Sequence, residues 1–188
     1  MTTKYWVGNG GNWSDTAHWS LSSGGAGGAG VPTSENDVKF DINSFSIDSQ
    51  TVIIDIPNSV CKSLDFTGVT NSPTFDISEH LFVFGDITFI YEMSVSGLSW
   101  LHVTEDATCI LTTNGLRIEC EYLIIEAGAN LTLADNLSIK NFAVVGGIFS
   151  SAGFTINCED LEFYGSGTII NIDGSIITVS GGYEYSCI

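Results

Sequence analysis

The stretch Cys120-Glu121-Tyr122-Leu123-Ile124-Ile125-Glu126-Ala127-Gly128-Ala129-Asn130-Leu131-Thr132-Leu133-Ala134-Asp135-Asn136-Leu137-Ser138-Ile139 decides the fold. Leu123 with Ile125, Leu131 with Leu133, and Leu137 with Ile139 are three alternating apolar pairs. They are parted by Gly, Asn and Asp, the pattern of short strands joined by tight turns. The pattern then restarts. Cut before Cys61, Glu79, Leu98, Cys120, Ile139, Cys158 and Ile176, the chain gives segments whose starts lie 18, 19, 22, 19, 19 and 18 residues apart. Most open on one template: an apolar or Cys residue, two variable residues, a large apolar residue, one variable residue and another apolar residue. Cys61 to Phe66, Cys120 to Ile125, Ile139 to Val144 and Cys158 to Phe163 all fit it. A period of about twenty residues with strand-type alternation marks a stacked-coil solenoid. The expected fold is therefore all-β: a single-stranded parallel β-helix of about seven coils, three strands to a coil, triangular in section. Parallel crossovers favour the right hand.

Stacked coils set equivalent residues about 4.8 Å apart, so template positions become ladders. The first position predicts one buried column of Cys61, Leu98, Cys120, Ile139, Cys158 and Ile176, interrupted by Glu79. The second places Lys140 between Glu121 and Glu159, a charge alternation that favours this register. Trp100 and Tyr122 share the third position in consecutive coils and predict a stacked aromatic stripe, with Phe149 as a further exposed ring. His80 and His102 fall at the second and fifth positions, which predicts no histidine ladder.

Composition agrees. Hydrophobic residues make up 44% and charged residues 14%, with 21 glycines and 3 prolines among 188 residues, so turn formers abound and helix surface formers are few. The five cysteines are an odd number without a Cys-x-x-Cys pair, which argues against a zinc site or a disulfide-stapled domain. Inward template positions make them small hydrophobes, expected to stay reduced; Cys187 stands apart near the C-terminus.

Residues 1–58 read as a separate capping module ahead of coils at 59–188. Three of the four tryptophans, Trp6, Trp13 and Trp19, lie within fifteen positions around Gly8-Asn9-Gly10-Gly11-Asn12-Trp13-Ser14-Asp15. A glycine tract over 22–30 follows, then Val31-Pro32-Thr33, Asn36-Asp37-Val38 and Phe40-Asp41. This string resembles the opening of many β-helical bacterial surface proteins and phage virion proteins. The resemblance continues through Asn43-Ser44-Phe45 and, more loosely, to Thr74, and it implies a β-helical particle or surface protein with no characterised catalytic residues. Physically, an open β-helix end exposes strand edges and core, and Trp6, Trp13 and Trp19 are large enough to plug it. The alternative is a sugar platform, which needs the same rings exposed.

The formal net charge is −17, with 22 acidic and 5 basic side chains. Lys4, Lys39, Lys62, Arg117 and Lys140 are too scattered for the basic patch of a nucleic-acid binder, and no apolar run is long enough to insert in a membrane. Such acidity suits an oxygen-ligated cation, with Asp15, Glu35, Asp37 and Asp41 as calcium candidates, yet no calcium-loop motif is present. No cofactor is expected. Without a nucleophile, metalloprotease or phosphate motif, and with its three histidines in different columns, the chain reads as non-enzymatic. Met1-Thr2-Thr3-Lys4 shows no secretion-type apolar stretch, which favours a protein made in a host cytosol and displayed on a virion over an extracellular adhesin.

The expected function is thus a structural or adhesive phage component, a capsid decoration, head fibre or tail fibre. Its partners are other virion proteins or its own copies, a trimer being favoured, with contacts through exposed aromatics or the uncapped end around Ile176 and Val179. Host-surface glycan is a further expected partner. Two alternatives differ in class: a glycan-binding bacterial adhesin module, and a polysaccharide-degrading β-helix enzyme.

Overall fold

A computed structural model describes residues 2–181 and 183–186. It is a β-solenoid of about six turns, built of three sheets with nine, eight and seven strands among the described residues. Every strand pairing is parallel except that of Thr2–Trp6 with Trp19–Ser20. Each coil contributes one short strand to each sheet, because two or three alternating apolar residues suffice to cross one side of the triangle before a turn intervenes.

The inward ladders follow the alternation. On the first sheet Val38, Leu64, Ile87, Leu111 and Leu133 stack in register. On the second the run is Val52, Phe75, Val95, Ile118 and Ile139. On the third it is Leu81, Leu101, Leu123, Phe142 and Leu161. All are buried, and they belong to a single hydrophobic cluster that runs from Trp6 to Leu161.

That continuity gives residues 2–58 a structural place. Thr2–Trp6 and Asn36–Lys39 lie side by side in the first sheet, and Gly11–Asn12 and Thr51–Ile53 in the second, so the module supplies the first coil. Trp6, Trp13 and Trp19 are all fully buried. Trp19 meets Trp6 edge-on at 5.0 Å and Trp13 at 4.6 Å, while Trp6 stacks on His18 at 4.6 Å. Phe40 carries the stack onward to Phe66, parallel at 4.2 Å. Trp19 Nε1 donates to the Trp13 carbonyl at 2.8 Å, and His18 Nδ1 lies 2.7 Å from the Val7 carbonyl oxygen, which ties the loop shut. With no face open to solvent, these rings serve as core and offer no platform for a sugar.

Several expected positions shift by a corner. Cys61 stacks on Val83 in the third sheet and leads into Leu64 of the first, so its segment turns a different corner from the segments at Cys120 and Cys158. The single column therefore breaks up: Cys120, Ile139 and Cys158 are buried, but Leu98 is 88% and Ile176 66% exposed. The reason is variable corner length. Ile118 and Leu123 are separated by five positions around the corner where Ile139 and Phe142 need three, and the longer corner at Leu98 swings outward. Ile177, not Ile176, registers with Ile156. Phe149, expected outside, is fully buried and packs edge-on against Phe142 at 4.9 Å. Cys61, Cys109, Cys120 and Cys158 are free and buried; burial pushes the Cys120 thiol up to about 12 and Cys158 to about 11, so both stay protonated. Cys187 lies outside the described residues. Lys140 bonds Glu121 at 2.5 Å, while Glu159 is taken instead by Arg117 at 2.7 Å.

At one tight corner a side chain is excluded outright. Gly97 has φ +129°, and a Cβ there would stand 2.2 Å from the Ile77 carbonyl oxygen. Gly97→Ala should cost about 1–3 kcal/mol, and Trp19→Ala about 3–5 kcal/mol from the void left in the first coil. Equilibrium urea unfolding reads both. A Trp19→Ala loss below about 1 kcal/mol would contradict the packing role of the ring.

Candidate functional site

In a strand, alternate residues face opposite sides, so the third sheet presents an outward ladder of Val60, Phe82, His102, Ile124, Ala143 and Glu162. Trp100 and Tyr122 are register partners on one side of it, and Val145 and Tyr164 on the other. Outward positions of a soluble sheet are ordinarily polar, yet here Ile124 and Ala143 are apolar and buried. Larger flanking side chains rise above them and leave a furrow.

The furrow has two adjoining hollows. One, of about 380 Å³, is lined by Trp100, His102, Glu105, Ile124, Glu126, Ala127, Val145 and Tyr164. The other, of about 180 Å³, is lined by Trp100, Tyr122, Ile124, Glu162 and Tyr164. Trp100 is 38% exposed, and it meets Tyr122 at 6.1 Å with their planes 77° apart. The tyrosine hydroxyl donates to Glu162 Oε1 at 2.7 Å, reaching across the strand Asn141–Val145 above the small, fully covered Ala143. That bond, reinforced by burial, raises the phenol's pKa, so Tyr122 remains a neutral donor.

A chain of polar groups runs along the other end of the furrow. His80 Nδ1 lies 2.8 Å from His102 Nε2, and His102 Nδ1 lies 2.8 Å from Glu126 Oε1. An ionised carboxylate only accepts, so His102 donates to Glu126 through Nδ1 and accepts from His80 through Nε2. This is the neutral tautomer of His102. Phe82 stacks on its other face at 4.2 Å, and burial, helped by His80, lowers its pKa to about 4. Burial raises the Glu126 carboxyl, partly offset by a hydrogen bond from the Glu105 backbone. The two histidines were expected to stay apart. They meet because each link steps one coil over and two residues along, a diagonal that long side chains can bridge. With Leu81 beneath Leu101 beneath Leu123, the 22-residue spacing of the histidines is such a diagonal. Reading it requires the correct coil start one residue before Glu79.

The other sequence candidates lie elsewhere. Trp6, Trp13 and Trp19 are buried in the first coil. The calcium candidates are not brought together: Asp15 Oδ1 accepts from the Ala17 amide at 2.9 Å, Asp41 Oδ1 from the Asn43 amide at 2.9 Å, and Asp37 Oδ1 from Ser63 at 2.8 Å. Among the described residues no group of three His, Cys, Asp or Glu side chains is placed to hold a metal ion. A hollow of about 450 Å³ is lined in part by Asp37, Lys62, Asp65 and Asp86, and carboxylates in it already have partners: Lys39 pairs with Asp65 at 2.5 Å, and Asp86 accepts from the Ile110 amide at 2.8 Å. Of the expected interface residues, only Trp100 and Tyr122 enter the furrow. Glu105, Glu126, Glu162 and Tyr164 join them from coils that the template aligned without marking their outward faces.

Compared with protein-family models, curated proteins and solved structures, the chain matches none. No described helix is long and apolar enough to cross a membrane.

The buried His102 gives the molecule a pH signature. Its folded pKa of about 4 lies below its unfolded value of about 6.5. Above pH 6.5 neither state takes the proton; between 6.5 and 4 only the unfolded chain does, so stability falls as pH drops through that window. Lowering the pH from 7 to 5 should cost wild type about 2 kcal/mol more than His102→Asn in urea unfolding. Equal losses in the two proteins would show that the ring is not held neutral.

Proposed function

We propose that this protein is a non-enzymatic adhesive module, a rigid β-solenoid that binds glycan along the furrow of its third sheet. The observation that carries the reading is the outward aromatic and carboxylate set, Trp100, Tyr122 and Tyr164 with Glu126 and Glu162, over the apolar floor of Ile124. Small-ligand sites are concave and mostly apolar, with a few placed polar groups. A pyranose ring presents just that demand, with C–H faces for aromatic rings and hydroxyls for carboxylate acceptors. The furrow is also elongated along the coil axis, as suits a polymer better than a compact metabolite.

The setting proposed is a phage virion, as a capsid decoration or a head or tail fibre, with a bacterial cell-surface adhesin as the alternative. Support comes from the resemblance of the Trp6-to-Asp41 string to proteins of both kinds, and from a charge of −17 that suits a β-rich assembly needing mutual repulsion to stay soluble. Self-association as a trimer belongs to the same proposal. Ile148 and Ile169 are register partners on the outer face of the first sheet, 40% and 54% exposed, and offer an apolar contact away from the furrow.

Trp100 reports on its own site, because the other three tryptophans are buried. Host-surface polysaccharide should shield wild-type fluorescence from acrylamide quenching, and Trp100→Ala should weaken binding in affinity electrophoresis by about tenfold or more. Undiminished binding by Trp100→Ala would remove the furrow from the proposal. Light scattering should give a trimer mass independent of concentration that falls toward 20.1 kDa in Ile148→Lys/Ile169→Lys; a monomeric wild type would rule out the self-assembled fibre.

A further inference from the structure

The smaller hollow is chemically distinct from the rest of the furrow, and we infer that it receives an ammonium group carried on the bound glycan. The inference rests on the glycan-binding reading and narrows it to a ligand class. Three of the five lining side chains are aromatic, one is the Glu162 carboxylate, and none is basic. Trp100 and Tyr122 both line it with their planes nearly perpendicular, 77° apart, so the two rings meet the hollow at different angles. Ring faces carry the negative part of the aromatic quadrupole, and a cation enclosed by several such rings is attracted to each.

Charge decides between ligands of similar shape. Glu162 is fixed by the Tyr122 hydroxyl at 2.7 Å, an interaction between a neutral donor and an anion that leaves the hollow's net charge negative. The adjoining hollow adds Glu105 and Glu126 and holds His102 in its neutral tautomer. The cations on the neighbouring coils are engaged elsewhere: Lys140 with Glu121 at 2.5 Å, Arg117 with Glu159 at 2.7 Å and also with Glu119. An anionic sugar would be repelled, and a neutral hydroxyl would gain a hydrogen bond to the carboxylate without the charge attraction. An ammonium gains the ring faces and the carboxylate together, in a partly desolvated place where both interactions strengthen.

Two kinds of ammonium meet this description, the protonated amine of an amino sugar and a trimethylammonium substituent of the choline type. The test uses calorimetric titration with a glucosamine oligomer at mildly acidic pH, its fully N-acetylated counterpart and choline chloride. The amine oligomer should bind wild type about tenfold more tightly than the acetylated one, with a preference that shrinks as salt is added. Glu162→Gln, with its fold checked by circular dichroism, should narrow that ratio to about twofold or less. Binding of choline chloride at the same site would support the trimethylammonium source, and binding of the amine oligomer alone the amino-sugar source. Equal affinity for amine and acetylated oligomers, or a preference unchanged in Glu162→Gln, overturns the inference while leaving the adhesive reading intact. Should none of the three bind while host polysaccharide does, the ammonium class is again overturned; should the polysaccharide fail too, the adhesive reading falls with it.

Discussion

The parallel backbone ladder between successive coils is the constraint on which everything else depends. Each strand must hydrogen-bond to the strand one coil away, so residue pairs such as Leu101 and Leu123 are held at strand spacing whatever their side chains are. The interior then has no freedom of register. A slip of one residue would turn every inward side chain out, and the apolar triads along the three sheets all resist it at once. Length variation is confined to the corners, where an extra residue can bulge into solvent without disturbing a ladder. Gly97 marks such a corner, passing so close to the Ile77 carbonyl that no side chain fits.

The same rule explains how a site arises without any loop insertion or domain cleft. Once the inward residues are committed, the outward ladder is free to vary, and function is written there. Phe82, His102, Ile124, Ala143 and Glu162 are consecutive outward rungs of one ladder, running from aromatic to apolar to acidic within five coils. Ala143, small and fully covered, is the rung between Ile124 and Glu162, and the Tyr122 hydroxyl reaches Glu162 two coils away. Because the rungs sit on strands, the furrow is preformed, and a ligand would lose little to ordering it.

Most of the fold was legible because its period is short and its alternation is strict. The triplet of apolar pairs between Leu123 and Ile139 gives three sides per coil, and the burial of Trp6, Trp13 and Trp19 follows from their size beside an otherwise open end. The site was only half legible, for a specific reason. A template that begins on Cys61 and also on Cys120 treats two different corners as equivalent, since Leu64 on the first sheet and Leu123 on the third follow their cysteines by the same three residues. A coil start at Glu79 also stands one residue out of register with the start at Leu98. It moved His80 from the third position to the second and so concealed its diagonal contact with His102. The register of Trp100 with Tyr122 was readable because both lie in coils that the template aligns. Phe149 failed for a related reason: its strand, Ile148–Ser150, was not among the template positions, so nothing told its inward face from its outward one.

Polar groups within the furrow divide along the same axis. At one end His80, His102 and Glu126 satisfy one another in a closed sequence of donors and acceptors, with Phe82 covering the central ring. A polar chain centred on a buried ring fixes side-chain positions; it holds the Glu126 carboxylate at the edge of the hollow of about 380 Å³. At the other end a single donor, Tyr122, holds Glu162. Both carboxylates are therefore positioned by neutral partners, and neither has its charge cancelled within the furrow. Elsewhere on the solenoid several bases are matched with acids, as in Lys39 with Asp65, Lys140 with Glu121 and Arg117 with Glu159, but 22 acidic side chains outnumber 5 basic ones, so uncompensated carboxylates are common on this surface. What sets the furrow apart is the company its carboxylates keep: Glu126 and Glu162 are held by neutral partners beside aromatic and apolar side chains, where a cation gains ring contacts as well as charge attraction.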